Sequence, residues 1–407
     1  MKNSLLAVSV FAAAISLAGV KSARADVVTD WNQTAIEVLK AANVATNPWS
    51  RSMAMVHVAM SDAVNSVQGR YVRYAATFPA APNASAEAAA SAAARHMLLR
   101  LYPNQKPKIE EAYAASLKPI ADGAAKNAGI ALGERAADII YEERSTDATS
   151  APDTYRPITT PGVWIPTTPP SFAEYAQAKP WVMKSADQFR PGPPPQLSSA
   201  LYARDYNETK NLGGAKSTAR TPDQTEAVRF WQPFSAPGWN QAARQLSAAK
   251  GLGLAENARL FALLNIGIAE TFIADWDAKF HYNSWRPITA IRNGDIDGND
   301  ATERDPGWVP LLATPMHPEY PSQAAIMTGV AAGVLESAFG TGPASFTVTN
   351  ADGRLQRRFN SVGQMAEELR LGRIWAGVHF RNTLLVGEEM GRKIAAYLID
   401  NALAPMR

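Results

Sequence analysis

Three short stretches in the C-terminal half of this 407-residue chain set cations and hydrogen-bond donors beside apolar helices. In "DWDAKFHYNSWRPITAIR", 275–292, Lys279 and Arg286 stand seven residues apart, about two helical turns, and Pro287 discourages a helix from running through Arg286. Two cations delivered at a helix end beside Trp285 would clamp an anion; salt bridging to Asp275, Asp277 or Asp295 is the alternative use for them. In "MHPEYPSQAAIMTGVAAGVLESAFG", 316–340, Pro321 and Ser322 precede a long apolar run, so Ser322 falls at a helix cap. There its hydroxyl and the first free backbone N–H groups point outward together, as an anion site requires. Plain capping is the commoner use of such a serine, and it leaves His317 and Glu319 without a role. In "GRIWAGVHFRNT", 372–383, Arg373 and His379 are six apart, a rotation of about 600° on a regular helix. They converge on one ligand only if the chain bends between them, and Gly377 lies where that is easy.

The elements that must carry these residues are helical. Between Ser50 and Gln68, the residues Met53, Val56, Met60, Ala63 and Val67 form one stripe at spacings of three and four, opened by Ser50 or Ser52 as cap. Similar stripes run through 86–101, 127–143, 224–231, 240–249, 254–278, 323–339, 361–370 and 383–400. The class is all-α, with "SFTVTN" at 345–350 as a strand candidate standing alone. Residues 151–195 hold 11 of the 28 prolines and cannot continue a helix. They form a Pro-rich connector between an N-terminal helical region, 26–150, and a C-terminal helical bundle, 196–407. Trp164, Phe172, Tyr175, Trp181 and Phe189 argue that the connector packs against the bundle, giving one compact unit with two helical layers.

Composition excludes several classes of function. At 46% hydrophobic and 19% charged residues, the chain has the make-up of an ordinary globular protein. Residues 1–25 read as a Sec-type signal peptide, with Lys2, an apolar run from Leu5 to Val20 and small residues around Ala23 and Ala25, so a periplasmic or secreted protein is expected. Lys2, Lys21 and Arg24 lie in that segment, and without them 37 basic residues face 37 acidic ones. A neutral mature chain removes the compositional support for nucleic acid or an anionic membrane surface as partner. No later segment reads as a membrane span. With no cysteine, stability must come from packing alone.

The three stretches together resemble the superfamily uniting vanadium-dependent haloperoxidases with type 2 phosphatidic acid phosphatases and bacterial class A acid phosphatases. Its pattern is K-x6-R-P, then P-S-G-H, then S-R-x5-H-x3-D. Here Lys279, Arg286 and Pro287 meet the first, and Pro321 and Ser322 meet half of the second, with Gln323 in the glycine's place and Ala324 in the histidine's. Arg373 and His379 match the third, with Gly372 for the serine and Thr383 for the acid. The flanking text "WDAKF", "WRPITAIR", "TPMHPEYPS", "GVHFR" and "HVAMSDAVNSV" looks like the bacterial haloperoxidase branch and extends the likeness over most of the chain.

The resemblance implies a helical bundle of the vanadium haloperoxidase and acid phosphatase type. It implies vanadate as cofactor, with phosphate able to occupy the same site, and hydrogen peroxide with halide, or a phosphate ester, as small-molecule substrates. Lys279, Arg286 and Arg373 would neutralise the oxyanion, Ser322 and the backbone N–H of Gln323 would donate hydrogen bonds, and His379 would bind vanadium or attack phosphorus. Ala324 has no proton to give where the superfamily places its acid, a loss that typically costs about 10² to 10⁴ in rate. Among nearby replacements His281 ranks ahead of His317 and Glu319, because it lies between Lys279 and Arg286. His57 reads as a core histidine and His96 as a helix-surface one. "DIDGND", 295–300, lacks the glycine and glutamate of a calcium loop. Three functions follow: a haloperoxidase-like enzyme, a phosphatase of the same fold, or a non-catalytic oxyanion-binding protein.

Overall fold

A computed structural model describes residues 26–74, 79–147, 149, 155–166, 170, 172–233 and 235–406; the expected signal peptide lies outside them. The apolar stripes fold as helices. The first five are α1 (Val27–Ala41), α2 (Thr46–Gln68), α3 (Ala86–Leu101), α4 (Lys106–Leu117) and α5 (Ala124–Arg144). After the connector come α6 (Ala200–Gly213), α7 (Pro222–Phe230), α8 (Ala236–Lys250), α9 (Leu254–Tyr282) and α10 (Pro287–Arg292). The last three are α11 (Gln323–Phe339), α12 (Val362–Trp375) and α13 (Arg381–Asn401).

Two expectations are corrected. The helix expected to open at Ser50 or Ser52 begins a turn earlier, because Pro48 is tolerated in a first turn where its missing N–H would have no partner anyway. Ser50 and Ser52 instead bond back to the carbonyls of Asn47 and Pro48, both at 2.8 Å. The strand candidate is not alone: β1 (Phe346–Thr349) pairs antiparallel with β2 (Gln356–Phe359), Phe346 facing Phe359. The sequence of β2, "QRRF", carries no alternating apolar signal, so only the pairing reveals it.

The 29-residue α9 runs through the middle and is buried along most of its length, polar residues such as Asn265, Glu270, Asp275 and Lys279 included. It is long and apolar enough to cross a membrane, but it is buried within the protein. Helix α2 packs on one flank of α9, with α3 and α5 outside it, and α11 and α13 pack on the other. A continuous core runs from Val28 to Leu403 and joins both halves of the chain. The connector is pinned to α9: Glu270 Oε1 accepts N–H bonds from Trp181, Val182 and Met183 at 3.0, 2.6 and 2.8 Å. Farther along, Arg190 forms a two-pronged pair with Asp277 at 2.8 and 2.7 Å. Trp164, Tyr175 and Trp181 are buried, as aromatic density in a proline-rich segment implies.

Helices α11 and α13 approach closely through small residues. A Cβ at Gly391 would lie 2.0 Å from the Ile326 carbonyl oxygen, and one at Gly329 would lie 2.2 Å from that of Glu388. Backbone cannot yield as a flexible side chain would. Gly391→Ala is therefore expected to lower stability by about 3 kcal/mol in urea unfolding, the upper end of overpacking costs. Gly363→Ala, on α12 with its nearest neighbour atom 3.9 Å away, should raise stability by a fraction of about 1 kcal/mol through helix propensity.

Candidate oxyanion site

Four helix ends meet on one side of the bundle. The C-terminal end of α9 brings Asp275, Trp276 and Lys279, and the N-terminal end of α11 brings Ser322, Gln323 and Ala324. Arg373 lies in the last turn of α12, and His379 lies just ahead of α13. Gly377, at φ +76, makes the bend that brings Arg373 and His379 together. Arg286 sits as N-cap of the short α10, held out of α9 by Pro287 as expected.

A cavity of about 210 Å³ is lined by His317, Gln323, Ala324, Arg373 and His379, with Thr46 and Gln232 among its other walls. Behind its wall lie Lys279, Arg286 and Ser322, each buried at 0% exposure. Arg286 organises the wall. Its Nε donates to the His317 carbonyl at 2.9 Å, Nη1 donates to the Val378 carbonyl at 2.9 Å and to His379 Nε2 at 3.1 Å, and Nη2 meets His317 Nδ1 at 3.1 Å. Lys279 directs its ammonium at the carbonyls of Pro318 and Glu319, both at 3.0 Å, and at that of Pro321. Lys279, expected to neutralise an oxyanion, pins the 317–322 segment, with its charge behind the cavity wall. Asp275 Oδ1 stands 3.6 Å from Lys279 Nζ, an ion pair beyond hydrogen-bond range.

Several polar atoms here have no partner. Ser322 is the backbone N-cap of α11, yet its Oγ makes no capping bond and is left unpaired. Gln323 Nε2 and Arg373 Nε are unpaired as well, and no ion pair of Arg373 is found among the described residues. Arg373 retains some exposed surface where it borders the cavity, while its Nε is sealed. Orphaned donors of this kind are uncommon in folded proteins and fit a missing acceptor.

Burial dominates the titrations. It lowers Arg373 to about 10, with no partner to offset the effect, and Arg286 to about 9. Lys279 falls to about 8 through burial, opposed by Asp275. The carboxyls of Asp275 and Glu319 rise to about 7 because burial outweighs the neighbouring cations. His317 and His379 are held well below the ordinary histidine value, first by burial and then by Arg286 and Lys279. Three cations against two carboxyls that resist ionisation leave the site electropositive near neutral pH.

Residues 259–407 match the sequence family described as the VCPO second helical-bundle domain. The vanadium chloroperoxidase of Curvularia inaequalis is 24% identical over 389 residues, covering 74% of this chain and 63% of that protein. Among solved structures, the first bacterial vanadium-dependent iodoperoxidase superposes with a TM-score of 0.77 at 23% identity, covering 94% of this chain and 98% of that one. An apo-type bacterial vanadium-dependent chloroperoxidase gives 0.70 at 16% identity, covering 86% and 92%. The family match is confined to the C-terminal residues 259–407, and the solved structures show the fold that nearly the whole chain shares. Its fold is the helical haloperoxidase fold, and it spans about 63% of the length of the curated relative it matches.

Within that superfamily pattern, the first-ranked replacement acid is corrected. His281 is exposed, edge-on to Tyr282, outside the cavity. His317, six residues before the altered glycine position, lines the cavity and packs on Trp276 in a tilted arrangement, 4.9 Å between ring centres. Glu319 accepts from His379 Nδ1 at 2.8 Å. In the sequence both stood as residues that capping left unexplained and as replacement acids ranked behind His281. His57 is buried as expected, bonded to Asn32 at 2.9 Å, while His96 on α3 meets Asp138 at 2.8 Å. In the 295–300 loop Asp297 is engaged by Thr302, and no metal-holding cluster occurs among the described residues.

Proposed function

We propose that this chain is an exported, haloperoxidase-like protein that holds vanadate, with phosphate able to take the same place, between Arg373 and His379. The observation that carries this reading is Arg373, a cation at the cavity wall whose Nε has no acceptor. The residues present fit such a group: Arg373 Nε, Gln323 Nε2 and Ser322 Oγ are donors without hydrogen-bonded acceptors, and His379 lines the cavity with an unprotonated Nε2 that a bound group would take over from Arg286. Lys279 and Arg286 add charge from behind. When bound, vanadate supplies the centre at which hydrogen peroxide is activated to oxidise halide.

Proton delivery is where the site is poor. Ala324 presents only a methyl group to the cavity. His317 Nδ1 accepts from Arg286, which places its ring proton on Nε2 and makes it a neutral donor of a hydrogen bond, not an acid of ordinary strength. The same deficit favours a second reading, an oxyanion-binding protein without turnover. Calorimetry with orthovanadate and phosphate, followed by assays with peroxide, bromide and a halogenation indicator and with an aryl phosphate, separates the two from each other and from a phosphatase. Absence of any oxyanion binding removes all three.

Ser322→Ala isolates one donor. We expect about a tenfold loss of phosphate and vanadate affinity, the worth of one hydrogen bond of about 1.4 kcal/mol. Stability should be unchanged or higher in thermal unfolding, because the hydroxyl removed is buried without a partner.

A further inference from the structure

We infer that Glu319 is the positioning carboxylate of His379, supplying a carboxylate beside the position where the superfamily pattern has an acid and this chain has Thr383. The inference rests on His379 being the site's ring ligand. Glu319 is buried at 2% exposure, and each of its oxygens is engaged. Oε1 accepts from His379 Nδ1 at 2.8 Å and from the Phe380 N–H at 3.1 Å, while Oε2 accepts from Thr383 Oγ1 at 2.9 Å. Phe380 is the N-cap of α13 and lacks a side-chain cap of its own, so Glu319 also caps that helix from another segment.

The contacts at both ring nitrogens select one tautomer. Arg286 Nη1 can only donate, so His379 Nε2, 3.1 Å away, must accept. The ring proton is then on Nδ1, where Glu319 Oε1 receives it. Glu319 thus keeps Nε2 unprotonated, its lone pair held by Arg286 in the ligand-free protein and open to a central atom once that hydrogen bond is given up, the service a carboxylate gives to a ligating histidine. Thr383 reaches the same carboxylate from α13, so an aspartate at 383 would put its oxygens where those of Glu319 now lie, still at a helix N-terminus. Two carboxylates there would repel each other; one from either position suffices.

The test uses the full chain as Glu319→Ala, Glu319→Gln, Thr383→Asp and the double Glu319→Ala/Thr383→Asp. Ring nitrogen NMR of His379, assigned by its loss in His379→Ala, reports the tautomer without any ligand, and calorimetry with inorganic phosphate and orthovanadate reports affinity. The wild type should show the Nδ1–H tautomer, Glu319→Gln should keep it through its amide oxygen, and Glu319→Ala should lose it with at least a tenfold drop in affinity. Thr383→Asp alone should weaken binding, whereas the double variant should regain the Nδ1–H tautomer and bind within threefold of wild type. An Nδ1–H tautomer that persists in Glu319→Ala overturns the inference, as does a folded double variant that recovers neither tautomer nor affinity. If the double variant does not fold, equal tautomer loss in the Gln and Ala variants overturns it, and retention by Gln alone supports it. A wild type that binds neither oxyanion would defeat the function proposed above while the ring spectra still decide the role of Glu319.

Discussion

Arg373→Met is expected to lower affinity for phosphate and orthovanadate by about 100-fold or more, while leaving the ligand-free protein as stable as before or more so. Hydrogen bonds to a charged group are worth about 1.5–3 kcal/mol each, and a guanidinium can offer two to one oxyanion. Arg373 has no ion pair among the described residues, and its Nε is sealed without an acceptor. The protein therefore carries a cation whose cost nothing in the fold offsets. Methionine keeps the bulk and removes the charge. Calorimetry and thermal unfolding on the same sample check both halves of the expectation. A fall in stability with affinity unchanged would mean that Arg373 holds the fold and not an anion.

Restoring the missing acid should have the opposite effect. Gln323→Gly with Ala324→His is expected to raise haloperoxidase or phosphatase rates by at least about tenfold, against a full general-acid contribution of about 10² to 10⁴. The structure has room for the change. Ala324 borders both the 210 Å³ cavity and a neighbouring one of about 70 Å³, so an imidazole at 324 enters open space. Gln323 Nε2 is buried without a well-formed hydrogen bond, so removing that side chain loses only its weak interaction with the Asp275 carboxyl, and glycine in the first turn of α11 costs at most about 1 kcal/mol. Steady-state rates with peroxide and bromide, and with an aryl phosphate, provide the check. Unchanged rates with oxyanion affinity preserved would place the defect elsewhere, in the reach of substrate to the cavity or in His379 itself.

Taken alone, the sequence determined whatever depends on near neighbours along the chain. Apolar spacing of three and four produced nine of the helices, since a buried stripe leaves a periodic record in every turn. Pro287 ended a helix at Arg286, and Gly377 allowed the bend between Arg373 and His379, because both act through their own backbone angles. The ordered motif residues Lys279, Arg286, Ser322, Arg373 and His379 were legible for the same reason, their spacing being local. Helices α1, α4 and α6 were less legible; α4 buries only Ile109, too little to leave a stripe.

Tertiary packing alone decided which side chains face the cavity and which support them. Lys279 lies 39 to 42 positions from the carbonyls it binds, and no spacing rule foretells that it would face them and not the cavity. Glu319 and His379 are 60 positions apart and become partners only because the segment before α11 folds against the start of α13. His317 entered the cavity and His281 left it through the path of the chain beyond α9. Contacts across such separations depend on the summed geometry of several helices, and a single chain read in order carries no local trace of them.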